Sequence, residues 1–231
     1  MAEQTLFLFV LMSIFISLNA QKYQFEYFQM VQQWGPAVCT ESGVHCFAQP
    51  KPLFTVHGLW PSNFTNPYLP CPPGVTFDQS QVTALVPQLE TYWPDLLDGN
   101  DQKLWKHEWE KHGTCSDPPF NVLQYFQTTL NIRTRYDVLN ILNVAGFGPS
   151  SSNQVNYSDI EDPIKAITKK KPHLRCNHNG VTKERQLLEI VLCFADDGVT
   201  FIHCPTLNKQ CPDKFIWLPQ HSLVTNQVCL A

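Results

Sequence analysis

One stretch of the chain brings together several side chains that can transfer protons or bind anions. It reads KHEWEKHGT over residues 106–114 and ends at Cys115. If the stretch is helical, at roughly 100° per residue, two imidazoles, a carboxylate and an ammonium fall within an arc of roughly 140°. These groups belong to His107, Glu108, Lys111 and His112. One helix, with Gly113 as its stop, could present all four to one cleft. A solvated helix face of mixed charge is the alternative.

A second motif, FTVHGLWP over residues 54–61, supplies another histidine. The pattern predicts a strand over residues 53–56 that ends at His57, beside the aromatic plate of Trp60. Alone, His57 could be a hydrogen-bonded histidine at the edge of a core. Together with the first stretch, it fits the cleavage of a phosphodiester by acid–base chemistry. One imidazole would take a proton from a ribose 2′-hydroxyl, another would protonate the leaving 5′-oxygen, and cationic donors would stabilise the phosphorane-like transition state.

A zinc peptidase is a competing interpretation, because histidines and a glutamate lie on one predicted helix. The zinc motif of such enzymes needs its histidines at i and i+4. His107 and His112 are five residues apart, which is about 140° around a helix. They are therefore poorly placed to chelate one ion, and no metal site or cofactor is predicted.

The first twenty residues have the pattern of a secretory signal peptide. An apolar run over residues 6–18 is followed by Asn19-Ala20, a small-residue cleavage context, and Glu3 stands where a basic residue is more usual. We expect one catalytic domain over residues 21–217, a dispensable tail over residues 218–231, no membrane span after cleavage, and a monomer. The destination would be extracellular or vacuolar.

The chain has nine cysteines, and a signal peptide places them in an oxidising compartment. Two of them flank a hairpin signal, two close a short loop, and the rest are paired by hypothesis, since sequence cannot fix connectivity. The hypothesis pairs Cys39 with Cys46, Cys71 with Cys115, Cys176 with Cys211, and Cys193 with Cys204. Cys229 is left over. Asn63 and Asn156 begin N-glycosylation sequons.

Strand patterns occupy both ends of the mature chain and helical patterns occupy its middle. Strands are predicted over residues 24–34, 53–56, 187–194 and 199–204. Helices are predicted over residues 83–89, 104–112, 122–133, 136–142 and 159–169. The last helix would be capped by Ser158 or Asp159, with Pro163 in its first turn. This order favours an α+β fold with an antiparallel sheet flanked by helices.

The two motifs FTVHGLWP and KHEWEKHGTC resemble the active-site segments of the RNase T2 family of secreted, metal-independent endoribonucleases. They occur in the expected order, about fifty residues apart. The segments QMVQQW, YWPDLL and PHLRC and the hairpin cysteines also resemble plant members. The resemblance implies an α+β fold and cleavage of single-stranded RNA through 2′,3′-cyclic phosphates to 3′-phosphates. DNA lacks the 2′-hydroxyl nucleophile and would not be cleaved.

The resemblance also assigns roles to individual residues. His57 matches the general acid and His112 the general base. Glu108 and Lys111 match the pair that stabilises the pentacoordinate phosphorus, and His107 matches a phosphate-binding histidine. Residues expected to contact the base or sugar are Gln33, Trp60, Asp95, Leu96, Leu97 and Leu104.

Two of these positions depart from the family pattern. Leu104 stands where many members have phenylalanine, so base stacking there would be replaced by apolar contact. Asp95 stands where several members have asparagine, which changes the hydrogen-bonding groups offered to a base. The base preference therefore does not follow from the resemblance.

A second biological role is compatible with the same chemistry. Pistil S-ribonucleases of self-incompatibility share these segments and act with a pollen-side recognition partner. They are typically basic, whereas this chain has a net charge of −4, or −3 once Glu3 leaves with the signal peptide. They also often lack a histidine at the position of His107. Both features favour RNA catabolism, phosphate scavenging or defence.

Overall fold

The computed structural model describes residues 25–150, 152–205 and 210–220. The predicted signal peptide and Cys229 lie outside these ranges. Within the described ranges, no helix is long and apolar enough to cross a membrane.

The described residues form one seven-stranded sheet with six α-helices and two 3₁₀ turns. The strands are β1 (Tyr27–Trp34), β2 (Phe54–Ser62), β3 (Gln154–Asn156), β4 (His173–His178), β5 (Arg185–Ala195), β6 (Phe201–Ile202) and β7 (Lys214–Ile216). The helices are α1 (Gly35–Cys39), α2 (Val86–Tyr92), α3 (Asp101–Lys111), α4 (Val122–Arg135), α5 (Val138–Val144) and α6 (Tyr157–Thr168). The 3₁₀ turns are Gln79–Leu85 and Gly113–Ser116.

Strand β5 is the centre of the sheet. The order is β2-β1-β5-β7-β3, and β4 and β6 also pair with β5. Every pairing between these strands is antiparallel except the short contact of β5 with β7 at Gln186 and Ile216. The α+β class with an antiparallel sheet flanked by helices is therefore confirmed.

The two faces of the sheet have different surroundings. One face packs against the helices in the main hydrophobic core, where α4 contributes the fully buried Tyr125, Phe126 and Leu130. The phenol of Tyr125 donates a hydrogen bond of 2.7 Å to the carbonyl of Leu59, so α4 is fastened to β2. The other face carries a smaller apolar cluster around Val31 and several buried polar side chains.

Two predicted element boundaries are wrong in ways that matter physically. The sequence predicts that β2 ends at His57, but the strand continues to Ser62 because residues 58–62 pair with β1. The sequence also places Pro163 in the first turn of α6. The helix begins earlier, since Asn156 is its cap and exchanges side-chain hydrogen bonds with Asp159, and Pro163 therefore lies inside it.

The four predicted disulfides are confirmed: Cys39–Cys46, Cys71–Cys115, Cys176–Cys211 and Cys193–Cys204. Cys71–Cys115 joins the loop after β2 to the turn after α3. Residues at the start of the predicted tail contact the body of the domain, since the indole of Trp34 donates a bond of 2.7 Å to the carbonyl of Leu218.

Removal of Cys71–Cys115 should destabilise the protein more than removal of Cys39–Cys46. The first bridge spans 44 residues and the second spans 7. Loop-closure entropy then gives losses of about 4 and about 2.5 kcal/mol in the free energy of unfolding. Urea unfolding of the two paired Cys→Ala variants measures both losses. An equal or larger loss for the Cys39–Cys46 variant would contradict this order.

Candidate active site

His57 is positioned by an irregularity in the pairing of β1 with β2. Val31 lies opposite Gly58, whereas the next residue, Gln32, lies opposite Val56. His57 is thus an extra residue without a cross-strand partner, as in a β-bulge. Its imidazole lies on the polar face of the sheet, where 40% of the side chain is exposed.

Helix α3 is held against β2 by buried tryptophans. Its first turn is capped by the side chain of Asn100, which accepts a hydrogen bond from the backbone of Lys103. The indole of Trp105 donates to the carbonyl of Trp93, at 2.8 Å, and the indole of Trp93 donates to the carbonyl of His57, at 3.0 Å. Through Trp93, these two bonds link helix α3 to His57 on strand β2.

His112 stands at the end of α3 rather than inside it. The sequence predicts a helix through His112 with Gly113 as its stop, but the helix ends at Lys111, and His112 has φ −127° and ψ −49°. Gly113 does not adopt a positive φ. Glycine is needed there because a Cβ would lie 2.3 Å from the ring of Trp109. The helix therefore stops directly before Gly113, as the sequence predicts, although Gly113 is not left-handed.

The backbone of His112 is fixed from both sides. Its N–H donates a hydrogen bond of 3.0 Å to the carbonyl of Glu108, and its own carbonyl lies 3.2 Å from the Sγ of Cys71. The Cys71–Cys115 disulfide therefore contacts the backbone of His112 and restrains the end of this helix.

The ring of Trp60 contacts both imidazoles. The centre of its ring is 5.0 Å from that of His57 and 5.2 Å from that of His112. Its indole N–H donates a hydrogen bond of 3.0 Å to the buried carboxylate of Glu108. A Cβ on Gly58 would lie 2.1 Å from that indole nitrogen and 2.3 Å from the carboxylate, so only glycine leaves room for the bond.

A buried ion pair approaches His57 from β4 and β5. The Nδ1 of His57 lies 2.5 Å from one carboxylate oxygen of Glu189, and the guanidinium of Arg175 donates to the other oxygen at 3.0 Å. Arg175 also donates to the side chain of Gln29, at 2.7 Å, and lies over the ring of Trp60.

Sequence reasoning missed Glu189, Arg175 and Gln29. A signal for the first was available, because Glu189 is the one ionisable residue in the apolar run LLEIVLCF over residues 187–194. A charged residue in a buried strand needs a partner. The partner could not be named without knowing which strands are neighbours.

The two imidazoles that flank Trp60 have pKa values displaced in opposite directions. Burial lowers the pKa of His57, but the hydrogen bond and charge of Glu189 outweigh burial and hold it above the ordinary value. Burial and the positive charges of Lys111, His107 and His57 lower the pKa of His112 to about 4. At a pH between these two pKa values, His57 carries a proton and His112 does not.

Two further groups of α3 also have displaced pKa values. Burial raises the pKa of Glu108 to about 7, against the opposing effects of His57 and Trp60. Burial and the charge of Lys111 lower the pKa of His107. Lys111 and His107 are exposed, so α3 presents a buried carboxyl beside two accessible nitrogen groups.

The six predicted base-contacting residues lie on the sheet, on α3 and in the loop before α3. Gln33, the cross-strand neighbour of Glu189, and Trp60 lie on the polar face of the sheet, and the half-buried Leu104 lies one turn before Glu108 on α3. Asp95, Leu96 and Leu97 lie in the loop, where Leu97 is half exposed and Leu96 is buried. The side chain of Asp95 is engaged in hydrogen bonds within this loop.

The carboxylate of Asp95 accepts hydrogen bonds from three backbone N–H groups, those of Leu97, Asp98 and Asn100. It therefore shapes the loop that leads into the cap of α3.

Of the two sequon asparagines, Asn156 is exposed and Asn63 is partly buried. Among the described residues, no group of three or more histidine, cysteine, aspartate or glutamate side chains could hold a metal ion.

Comparison with known proteins places this geometry in a family. The model of the Ribonuclease T2 family matches residues 25–204. Ribonuclease MC from Momordica charantia is 40% identical over 181 residues, which cover 78% of this chain and 94% of that protein. Ribonuclease S-5 from Pyrus pyrifolia is 38% identical over 202 residues, which cover 85% and 87%.

A solved structure agrees with the sequence relatives. The crystal structure of RNase NT in complex with 5′-AMP superposes with a TM-score of 0.77 at 29% identity, covering 85% of this chain and 99% of that one. The chain belongs to the Ribonuclease T2 family and is an endoribonuclease.

Proposed function

We propose that the protein cleaves single-stranded RNA by metal-independent transphosphorylation, with His57 as general acid and His112 as general base. The observation that carries the proposal is the opposite displacement of the two pKa values on either side of Trp60. Two titratable groups whose surroundings push their pKa values apart are suited to opposite proton-transfer roles.

In the first step, neutral His112 removes the proton from the 2′-hydroxyl of ribose. The 2′-oxygen then forms a bond to the adjacent phosphorus, the bond from phosphorus to the 5′-oxygen breaks, and protonated His57 gives its proton to that oxygen. The products are a 2′,3′-cyclic phosphate and a free 5′-hydroxyl.

The reverse assignment of the two histidines is disfavoured because the protonation state that it requires is rarely populated. It would require protonated His112, with a pKa of about 4, together with neutral His57, with a pKa above the ordinary value. Such a pair is a minor protonation state at every pH, because each histidine would be in the form that its own pKa disfavours. The forward assignment uses the dominant protonation state between the pKa of His112, about 4, and the raised pKa of His57.

A second step would convert the cyclic phosphate to the 3′-phosphate. In that step neutral His57 takes a proton from water, the water oxygen forms a bond to phosphorus, the bond from phosphorus to the 2′-oxygen breaks, and protonated His112 gives its proton to that oxygen. The first step leaves the two histidines in these protonation states.

Glu108, Lys111 and His107 would hold the phosphate. With a pKa of about 7, Glu108 carries a proton below neutrality and can donate a hydrogen bond to a phosphate oxygen instead of repelling it. Lys111 supplies a positive charge to the same helix end. The structure of RNase NT holds a nucleotide, which supports a nucleotide substrate for this site.

The base and sugar would be contacted by Gln33, Leu104, Trp60, Leu96 and the half-exposed Leu97. The carboxylate of Asp95 already accepts three backbone bonds. We therefore assign Asp95 to shaping the loop, and base contact to its neighbours.

The proposed biological role is RNA catabolism, phosphate scavenging or defence after entry into the secretory pathway. Four disulfides agree with an oxidising compartment. Relatives of both names, Ribonuclease MC and Ribonuclease S-5, are similar to this chain, so similarity does not separate this role from self-incompatibility. The acidic net charge and His107 favour the scavenging role.

The variants His57→Ala and His112→Ala should each lose nearly all activity on polymeric RNA, because general acid–base catalysis contributes about 10²–10⁴-fold. An in-gel RNA cleavage assay across pH, with and without chelator, measures this. His178→Ala changes an exposed histidine at the end of β4 and serves as the control. Either active-site variant retaining a tenth of the wild-type rate would refute the assignment, and loss of wild-type activity in chelator would refute metal independence.

The pH dependence of kcat/KM should be bell-shaped. Activity rises as His112 loses its proton near pH 4, because the base must be neutral. It falls again at higher pH as His57, whose pKa Glu189 holds above the ordinary value, loses the proton that the acid must supply. The optimum therefore lies between the two pKa values, and initial rates on a dinucleotide substrate would locate it. An optimum above about pH 8 would contradict the two roles.

The biological role predicts where the mature protein is found. N-terminal sequencing should begin at Gln21, and transcripts should occur in leaves, roots or senescing tissue. Expression restricted to styles, with polymorphism between individuals, would instead favour the self-incompatibility role.

A further inference from the structure

We propose that Glu189, held in place by Arg175, is the positioning residue of His57: it fixes which imidazole nitrogen faces the substrate. The proposal rests on the proposed function of His57 as general acid. Its basis is the contact of 2.5 Å between Nδ1 of His57 and Glu189.

His57 needs an external restraint because its own strand supplies little. As the extra residue of the bulge, it lacks a cross-strand neighbour, and 40% of its side chain is exposed. Glu189 is the opposite case. It lies on the central strand β5, paired with Gln33 on one side and Arg175 on the other, and only 5% of it is exposed. A rigid, buried carboxylate therefore orients a partly exposed ring.

Arg175 keeps that carboxylate charged and immobile. Burial alone would raise the pKa of Glu189, but the contacts with His57 and Arg175 hold the pKa below its ordinary value. Arg175 is itself fixed by Gln29, whose amide donates to Ser62 at 2.8 Å. The chain of contacts thus runs from His57 across three strands to the far end of β2.

Stability alone is a poor explanation for this buried pair. Taking two charges out of water is costly, and apolar side chains of similar volume often serve a fold as well or better. Perturbed charges of this kind cluster where a titratable group must be tuned. Here the tuned group is His57.

The tautomer of His57 follows from this geometry. With Glu189 ionised, Nδ1 must carry a hydrogen, since a lone pair there would face a carboxylate oxygen at 2.5 Å. The proton given to the leaving 5′-oxygen therefore comes from Nε2. After the transfer, the neutral ring keeps its Nδ1–H and offers the Nε2 lone pair to the water of the second step.

The first test uses the unmodified protein. Long-range ¹H–¹⁵N spectra of the histidine rings, recorded above the pKa of His57, should show its neutral ring protonated at Nδ1. A ring protonated at Nε2 overturns the proposal, and this readout needs neither substrate nor a variant.

The second test removes the charge of Glu189. In Glu189→Gln, the NMR titration of His57 should move to lower pH, the alkaline limb of kcat/KM should move with it, and kcat at pH 7 should fall by about tenfold or more. KM should change little, because Glu189 does not touch substrate. Glu184→Gln, an exposed glutamate just before β5, is the matched control and should leave all three quantities unchanged.

Glu189→Asp separates positioning from folding. It keeps the charge but shortens the reach, so the titration of His57 should stay closer to wild type than in Glu189→Gln, while kcat falls. An unchanged His57 titration in folded Glu189→Gln overturns the positioning role. If that variant does not fold, Glu189→Asp and the tautomer measurement still decide. An active His57→Ala would instead refute the acid role itself, whatever Glu189 does.

Discussion

The hydrogen bond from the indole of Trp60 to the carboxylate of Glu108 joins the two parts of the chain on which the site depends. Trp60 belongs to β2, which carries His57, and Glu108 belongs to α3, which ends at His112. The bond fixes the strand against the helix and leaves the ring centres of the two imidazoles 5.0 and 5.2 Å from that of Trp60. Any residue larger than Gly58 would occupy the space in which it forms.

Different neighbours make two chemically identical side chains behave differently. His57 faces a carboxylate that is itself held by a guanidinium, whereas His112 faces the positive charges of Lys111 and His107. Burial lowers the pKa of both rings, so the sign of the neighbouring charge decides which ring keeps its proton. The acidic net charge of the chain has no bearing on this, because the deciding charges lie within a few ångströms of each ring.

The sequence was sufficient for features that depend on local pattern. The α+β class and the helix carrying His107 and Glu108 follow from periodicity and turn signals, and the disulfide pairs, which cysteine spacing suggested only as a hypothesis, agree with the structure. It was insufficient where distant segments determine the outcome. The bulge at His57 depends on the register between β1 and β2. Position 113 must be glycine because a Cβ there would clash with the ring of Trp109. The contact of Glu189 with His57 depends on strand order, which no local pattern encodes.

The disulfides divide the chain into two separately closed halves. Cys39–Cys46 and Cys71–Cys115 lie in the first half with both histidines of the proton transfer, whereas Cys176–Cys211 and Cys193–Cys204 lie in the second with Arg175 and Glu189. No disulfide among the described residues joins the two halves. During synthesis the first half emerges with its imidazoles and its own bridges but without the carboxylate that orients one of them. The site is thus complete only when β5, which carries Glu189, has paired with β1.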